Sequence, residues 1–93
     1  MDLEGIVTKL DARKQRATYG AVAGIVGGLA RGLMNGRPKN HKYSWVVAKT
    51  GQRRGWPTGY EKHQIHPDCL WQIYNGPENI IEDPEELITW LKR

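Results

Sequence analysis

Between Thr18 and Arg31 the chain carries four glycines, two of them adjacent at Gly27-Gly28. That pair sets the strongest limit on the fold. Glycine readily takes the left-handed conformation that ends a helix, and inside one it costs about 1 kcal/mol relative to alanine. The segment must therefore fold as two short pieces around a turn. Thr18 is a natural N-cap, opening a helix through Tyr19, Ala21, Val22, Ala23, Ile25 and Val26. Its small residues, Gly20, Ala21, Ala23 and Gly24, let another backbone approach closely. A second short helix is expected from Leu29 to Asn35, with Leu29, Leu33 and Met34 on its apolar side and Gly36 and Pro38 as its stop. Two short helices joined by a glycine turn make a helix-turn-helix candidate, with Arg31, Asn35 and Arg37 on or beside the second.

The flanking segments supply the rest of a small α+β domain. Leu3, Ile6, Val7 and Leu10 fall at the i, i+3, i+4, i+7 spacing of a helix with one buried face, capped by Asp2 with Glu4 at the positive end of its dipole. Arg13 to Ala17 is polar and basic, a connection or a short edge strand. Ser44 to Ala48 has the Trp and Val content of a strand. Lys49 to Gly55 is a basic turn, and Trp56 to Tyr60 is expected to return as a second strand, forming a wing. Leu70, Trp71 and Ile73 are expected to pack. Asn79 to Ile81 is a candidate strand, and Asp83, Pro84 and Glu85 start a last helix with Leu87, Ile88, Trp90 and Leu91 inward. With 93 residues this is one domain, 1–93, with a core over 3–60 and an extension over 61–93.

Charge is strongly segregated. Residues 12–60 hold ten bases and no acid, Arg13, Lys14, Arg16, Arg31, Arg37, Lys39, Lys42, Lys49, Arg53 and Arg54, whereas 1–11 balance at −2 and 61–93 at −4. An acid-free stretch of this length suits a polyanion, since each phosphate contact releases condensed counterions. The rival reading from another class is a basic protein-interaction module, or an RNA-binding adaptor, docking on an acidic partner. The weakly polar run Ala21 to Ala30 is too short and too glycine-rich to span a membrane. The acidic N-terminus lacks a secretory layout, and one cysteine, Cys69, makes no internal disulfide. A cytoplasmic monomer is expected.

The run Arg16-Ala17-Thr18-Tyr19-Gly20-Ala21-Val22-Ala23, the glycine turn, Ala30-Arg31 and Met34-Asn35-Gly36-Arg37-Pro38 resemble the DNA-binding domain of the alkylguanine-DNA alkyltransferases and of their inactive relatives, the alkyltransferase-like proteins. Ser44-Trp45-Val46-Val47 and the Gly51 and Gly59-Tyr60 turns look like that family's active-site strand and wing; the likeness covers residues 3–60. The resemblance implies a winged helix-turn-helix whose second helix enters the minor groove. It implies Tyr19 near a phosphate, helping rotate a nucleotide out of the stack, and an arginine, here assigned to Arg31, filling the space left behind. The family's acceptor motif, Pro-Cys-His-Arg before two valines, is replaced by Lys42-Tyr43-Ser44-Trp45 before Val46-Val47. No thiol stands there to accept an alkyl group and no histidine to activate one. The segment between Tyr19 and Met34 is also shorter than the family's.

The sequence-based assignment is therefore a DNA-binding protein without catalytic residues, metal or cofactor, with base eversion by Tyr19 and Arg31. Thr18, Asn35, Tyr43 and Ser44 are candidate contacts, and Arg37, Lys39, Lys42, Arg53 and Arg54 candidate phosphate ligands. Tyr43 and Tyr60 are expected exposed, Trp45 and Trp56 buried. His63, His66 and Cys69 stand three apart, but Pro67 interrupts the helix that zinc ligation at that spacing needs. Cys69 beside Asp68 lacks the electropositive setting of a nucleophile, and the glycines lack the Gly-Lys-Ser/Thr ending of a phosphate-binding loop.

Overall fold

The computed structural model describes residues 2–93. Its first helix, α1 (Leu3–Arg13), starts where the Asp2 carboxylate accepts from the Gly5 amide at 2.9 Å and ends where Lys14 turns left-handed at φ 56°. Leu3, Ile6, Val7 and Leu10 are all buried, as their spacing requires. Strand β1 (Arg16–Thr18) follows at once, with all three side chains buried. It is no edge strand. Strands β2 (Val46–Val47) and β3 (Ile80–Ile81) flank it in the order β2-β1-β3, both parallel to it, with Ala17 opposite Val46 on one side and Ile81 on the other. Parallel neighbours need long crossover connections, and these run through residues 19–45 and 48–79, whereas α1 precedes the sheet and the last helix follows it.

Arg16, counted above among the bases of a surface, is instead fully buried. Its guanidinium donates from Nη1 to the Gly55 carbonyl (3.1 Å) and from Nη2 to the Gly76 carbonyl (2.7 Å), while Nε has no partner. Burial lowers its pKa. One side chain thus ties the loop after β2 to the turn before β3. Gly55 has φ 85°, and a Cβ there would lie 2.8 Å from Nη1, so the position requires glycine on two counts.

Thr18 closes β1 and opens α2 (Tyr19–Val26): its hydroxyl accepts from the Ala21 amide at 3.1 Å. The small residues of α2 receive the last helix, α4 (Pro84–Leu91), whose Pro84 ring would overlap a Cβ placed on Gly24. After Gly27 the expected second helix is absent. Ala30–Gly32 form a single 3-10 turn, and bonds from Asn35 to Gly32 and from Arg37 to Met34 continue it as successive tight turns. Gly32 and Gly36 deny the segment helical stiffness, and Leu29, at 66 % exposure, gives it no apolar anchor.

The wing differs too. Lys42–Trp45 are a 3-10 turn leading into β2, and beyond it Ala48 bonds the Trp56 carbonyl and accepts from the Gly55 amide, pinching 49–55 into a loop. Pro57, with no amide to donate, stops Trp56–Tyr60 from returning as a strand. Residues 62–64 form another 3-10 turn, capped by Glu61 and Gln64, before α3 (Pro67–Asn75). Ile65, Cys69, Ile81, Leu87 and Leu91 share one apolar cluster with Ile6, Leu10, Val22 and Trp45. Trp71 and Ile88, expected inward, are 63 % and 40 % exposed. No helix among the described residues is long and apolar enough to cross a membrane.

Candidate nucleic-acid interface

Tyr19 begins α2 because Thr18 caps it, and its phenol oxygen accepts the Thr58 amide at 2.7 Å. That bond holds the Thr58-Gly59 turn against the start of α2. Opposite stands the tight-turn segment with Arg31 and Asn35. Between them lies a cavity of about 500 Å³ lined by Tyr19, Ala30, Arg31, Met34, Asn35, Lys39, Thr58 and Gly59. Among the described residues no carboxylate lines it. Gly59 is left-handed at φ 79°, and a Cβ there would stand 3.1 Å from Lys39 Cε, so the lysine stem lies along the bare backbone. Tyr60, just beyond, is half-buried; burial above all, and then the neighbouring Tyr19 phenol, push its pKa up to about 12.

The cavity thus unites Tyr19 at the start of α2, Arg31, Asn35 and Lys39 from the 30–39 segment, and the Thr58-Gly59 turn. The other candidates are engaged elsewhere. Arg37 and Lys42 each stand 3.3 Å from the Glu4 carboxylate. Tyr43, expected exposed, is 9 % exposed and donates its hydroxyl to Glu4 at 2.6 Å. That hydrogen bond, more than the two cations, holds the Glu4 carboxyl below the usual carboxylate range, and it raises the Tyr43 phenol in turn. Ser44 is buried: its hydroxyl donates to the His41 carbonyl and accepts the His66 amide. Thr18 is buried as the cap of α2. Arg54 lies 3.2 Å from Glu82 and 3.9 Å from Glu78. Arg53 lies over Trp56, which is half-buried.

Thr18, Tyr43 and Ser44 are therefore withdrawn as direct contacts, because their polar groups are spent inside the fold. Arg37, Lys42 and Arg54 keep exposed guanidinium or ammonium groups, but each already faces a carboxylate. Arg31, Lys39, Lys49 and Arg53 make no ion pair among the described residues. Thr58 and Gly59 were missed as lining residues; the turn at Gly59-Tyr60 was visible in the sequence, but not the Tyr19 bond that brings it to α2.

The His63, His66 and Cys69 spacing does not close on a common point. His66 caps α3 by accepting the Asp68 amide on Nδ1, His63 lies beside Glu61, and Cys69 is buried with Sγ 3.5 Å from the Ser44 carbonyl. Burial pushes the Cys69 thiol up to about 11, which keeps it protonated and unreactive. Among the described residues no group of three metal-ligating side chains is assembled.

Comparison with protein-family models finds no match, and comparisons with curated proteins and with solved structures find none either.

Proposed function

We propose that the chain binds duplex DNA non-enzymatically, through the cavity between Tyr19 and Arg31, with its tight-turn segment against the groove. The observation that carries this reading is convergence. Four polar residues singled out from the sequence line one acid-free cavity, in a chain where three of the other candidate bases are matched by carboxylates. Its volume falls in the range of about 300–1,000 Å³ that suits a small organic ligand, and an everted nucleotide is such a ligand. Arg31, which lines the cavity and makes no ion pair among the described residues, would occupy the space an everted base leaves. Tyr19 presents a phenol already fixed by Thr58, so no rotamer freedom is lost on binding.

Tyr43 stands where the resembled family has its acceptor cysteine, and its hydroxyl is committed to Glu4. The reading is accordingly one of binding without alkyl transfer. Lys39 supplies a phosphate contact at the cavity, and Lys49 and Arg53 extend the basic edge along the loop after β2.

Fluorescence anisotropy with labelled duplexes tests this, with and without one guanine alkylated on its exocyclic oxygen. Arg31→Ala should weaken binding more than Arg13→Ala, because Arg13 is engaged with the Trp90 and Arg93 carbonyls at the far end of the chain. Tighter binding of the alkylated duplex supports base eversion. Equal binding of both duplexes removes it and leaves a general DNA binder. Absence of binding to either at low salt overturns the proposal.

A further inference from the structure

The loop after β2 and helix α3 meet through their aromatic residues. Trp56 and Tyr74 pack edge to face, ring centroids 5.8 Å apart and planes at 85°. Each ring carries a cation: the Arg53 guanidinium lies 5.0 Å from the Trp56 centroid, and the Lys62 ammonium 5.7 Å from that of Tyr74. Trp71 stands three residues before Tyr74 on α3, the spacing that sets two side chains on one helix face. The core does not need Trp71 or Tyr74, which are 63 % and 58 % exposed, whereas Trp56 is half-buried against it.

This row adjoins the cavity described above. Arg53, Trp56, Pro57, Thr58, Gly59 and Tyr60 line a second hollow of about 260 Å³, and Thr58 and Gly59 belong to both. The two hollows are therefore neighbours, on either side of the Thr58-Gly59 turn.

We propose that Arg53, Trp56, Tyr74, Lys62 and Trp71 form a stacking platform for unpaired bases, so that the chain also binds single-stranded nucleic acid. Every base has a π-face that stacks on an aromatic ring, and the two cations now over Trp56 and Tyr74 swing onto the phosphates between bases as the bases take the rings. Charge decides against an apolar protein surface as the occupant. Neither Arg53 nor Lys62 has an ion-pair partner among the described residues, and an apolar cover would desolvate both with nothing in return. A sugar-phosphate backbone supplies both counter-charges. The proposal rests on the nucleic-acid reading and extends it to α3, in the C-terminal third of the chain.

The test is anisotropy with a short labelled oligothymidine, run beside the unmodified duplex, on the full chain and on Tyr74→Ala and Trp71→Ala. Both side chains are more than half exposed, and thermal melts followed by circular dichroism check that each variant is folded. Each should lose on the order of tenfold in affinity for the single strand and keep its affinity for the duplex. Duplex binding without single-strand binding overturns the platform alone, as does single-strand affinity unchanged in both variants. Failure of the full chain to bind either nucleic acid overturns the platform together with the reading beneath it.

Discussion

Glu4 masks part of the basic surface, and replacing it should change the salt dependence of binding in a calculable way. Its carboxylate faces Arg37 and Lys42, each at 3.3 Å, and leaves Arg31, Lys39, Lys49 and Arg53 as the bases without an ion pair, among the described residues, in and beside the proposed interface. Each neutralised phosphate adds about 0.9 to the negative slope of log affinity against log salt, so four contacts give about −3.6. Glu4→Gln frees two more cations and should steepen the slope to about −5.4. Between 50 and 200 mM salt the full chain should then lose on the order of 150-fold in affinity, and the variant on the order of 2,000-fold. Glutamine can still accept the Tyr43 hydroxyl, so the ring keeps its anchor. Anisotropy titrations with one duplex at four salt concentrations measure both slopes. Parallel slopes would place Arg37 and Lys42 away from the DNA. A slope near −5.4 in the unaltered chain would mean that phosphate displaces Glu4 on binding, and the masking argument would fail.

Three further outcomes concern the fold. Gly24→Val drives a side chain into the Pro84 ring and should cost about 1–3 kcal/mol, read as a lower melting temperature; an unchanged one would show that α2 and α4 separate freely. Arg16→Met removes two charge-assisted hydrogen bonds and strands the Gly55 and Gly76 carbonyls, an expected loss of about 3 kcal/mol by denaturant titration; a neutral result would mean that water replaces the guanidinium. Because burial raises the Cys69 thiol to about 11, the stability it protects is complete below the ordinary thiol range of about 8–9 and is lost as pH climbs through 11. Unfolding free energy should fall on the order of 2 kcal/mol over that alkaline window, and Cys69→Ala should flatten the decline; an equal decline in both would assign it to other groups, Tyr60 first.

What the sequence made legible was local. The α1 stripe, the Thr18 cap, the glycine stop at Gly27 and the start of α4 at Pro84 each depend on residues within a turn of one another, and each is present. The sheet was not legible as a sheet, because its strands are two or three residues long and pair across 29 to 64 positions, Ala17 with Val46 and Ile81. An arginine inside the central strand hid it further, since only the folded chain supplies the carbonyls that make Arg16 tolerable there. Segment charge was visible, but pairing was not: Glu4 reaches Arg37 and Lys42 from the other end of the acid-free stretch, and Arg54 reaches Glu78 and Glu82. The same long-range contact explains Tyr43, whose aromatic character suggested an exposed pocket residue until Glu4 was seen to hold it. Tyr19, Arg31, Asn35 and Lys39 were singled out by residue type and by the family resemblance, whereas the cavity they share needed the Tyr19 bond to Thr58.

The most direct measurement is a nitrogen-proton NMR titration of the chain with an unmodified duplex, following every backbone amide. If the cavity is the interface, the largest shifts will fall on Tyr19, Arg31, Asn35, Lys39 and Thr58, with α4 and the exposed side of α1 unmoved. Shifts concentrated on α4, or spread evenly over all the basic residues, would contradict it.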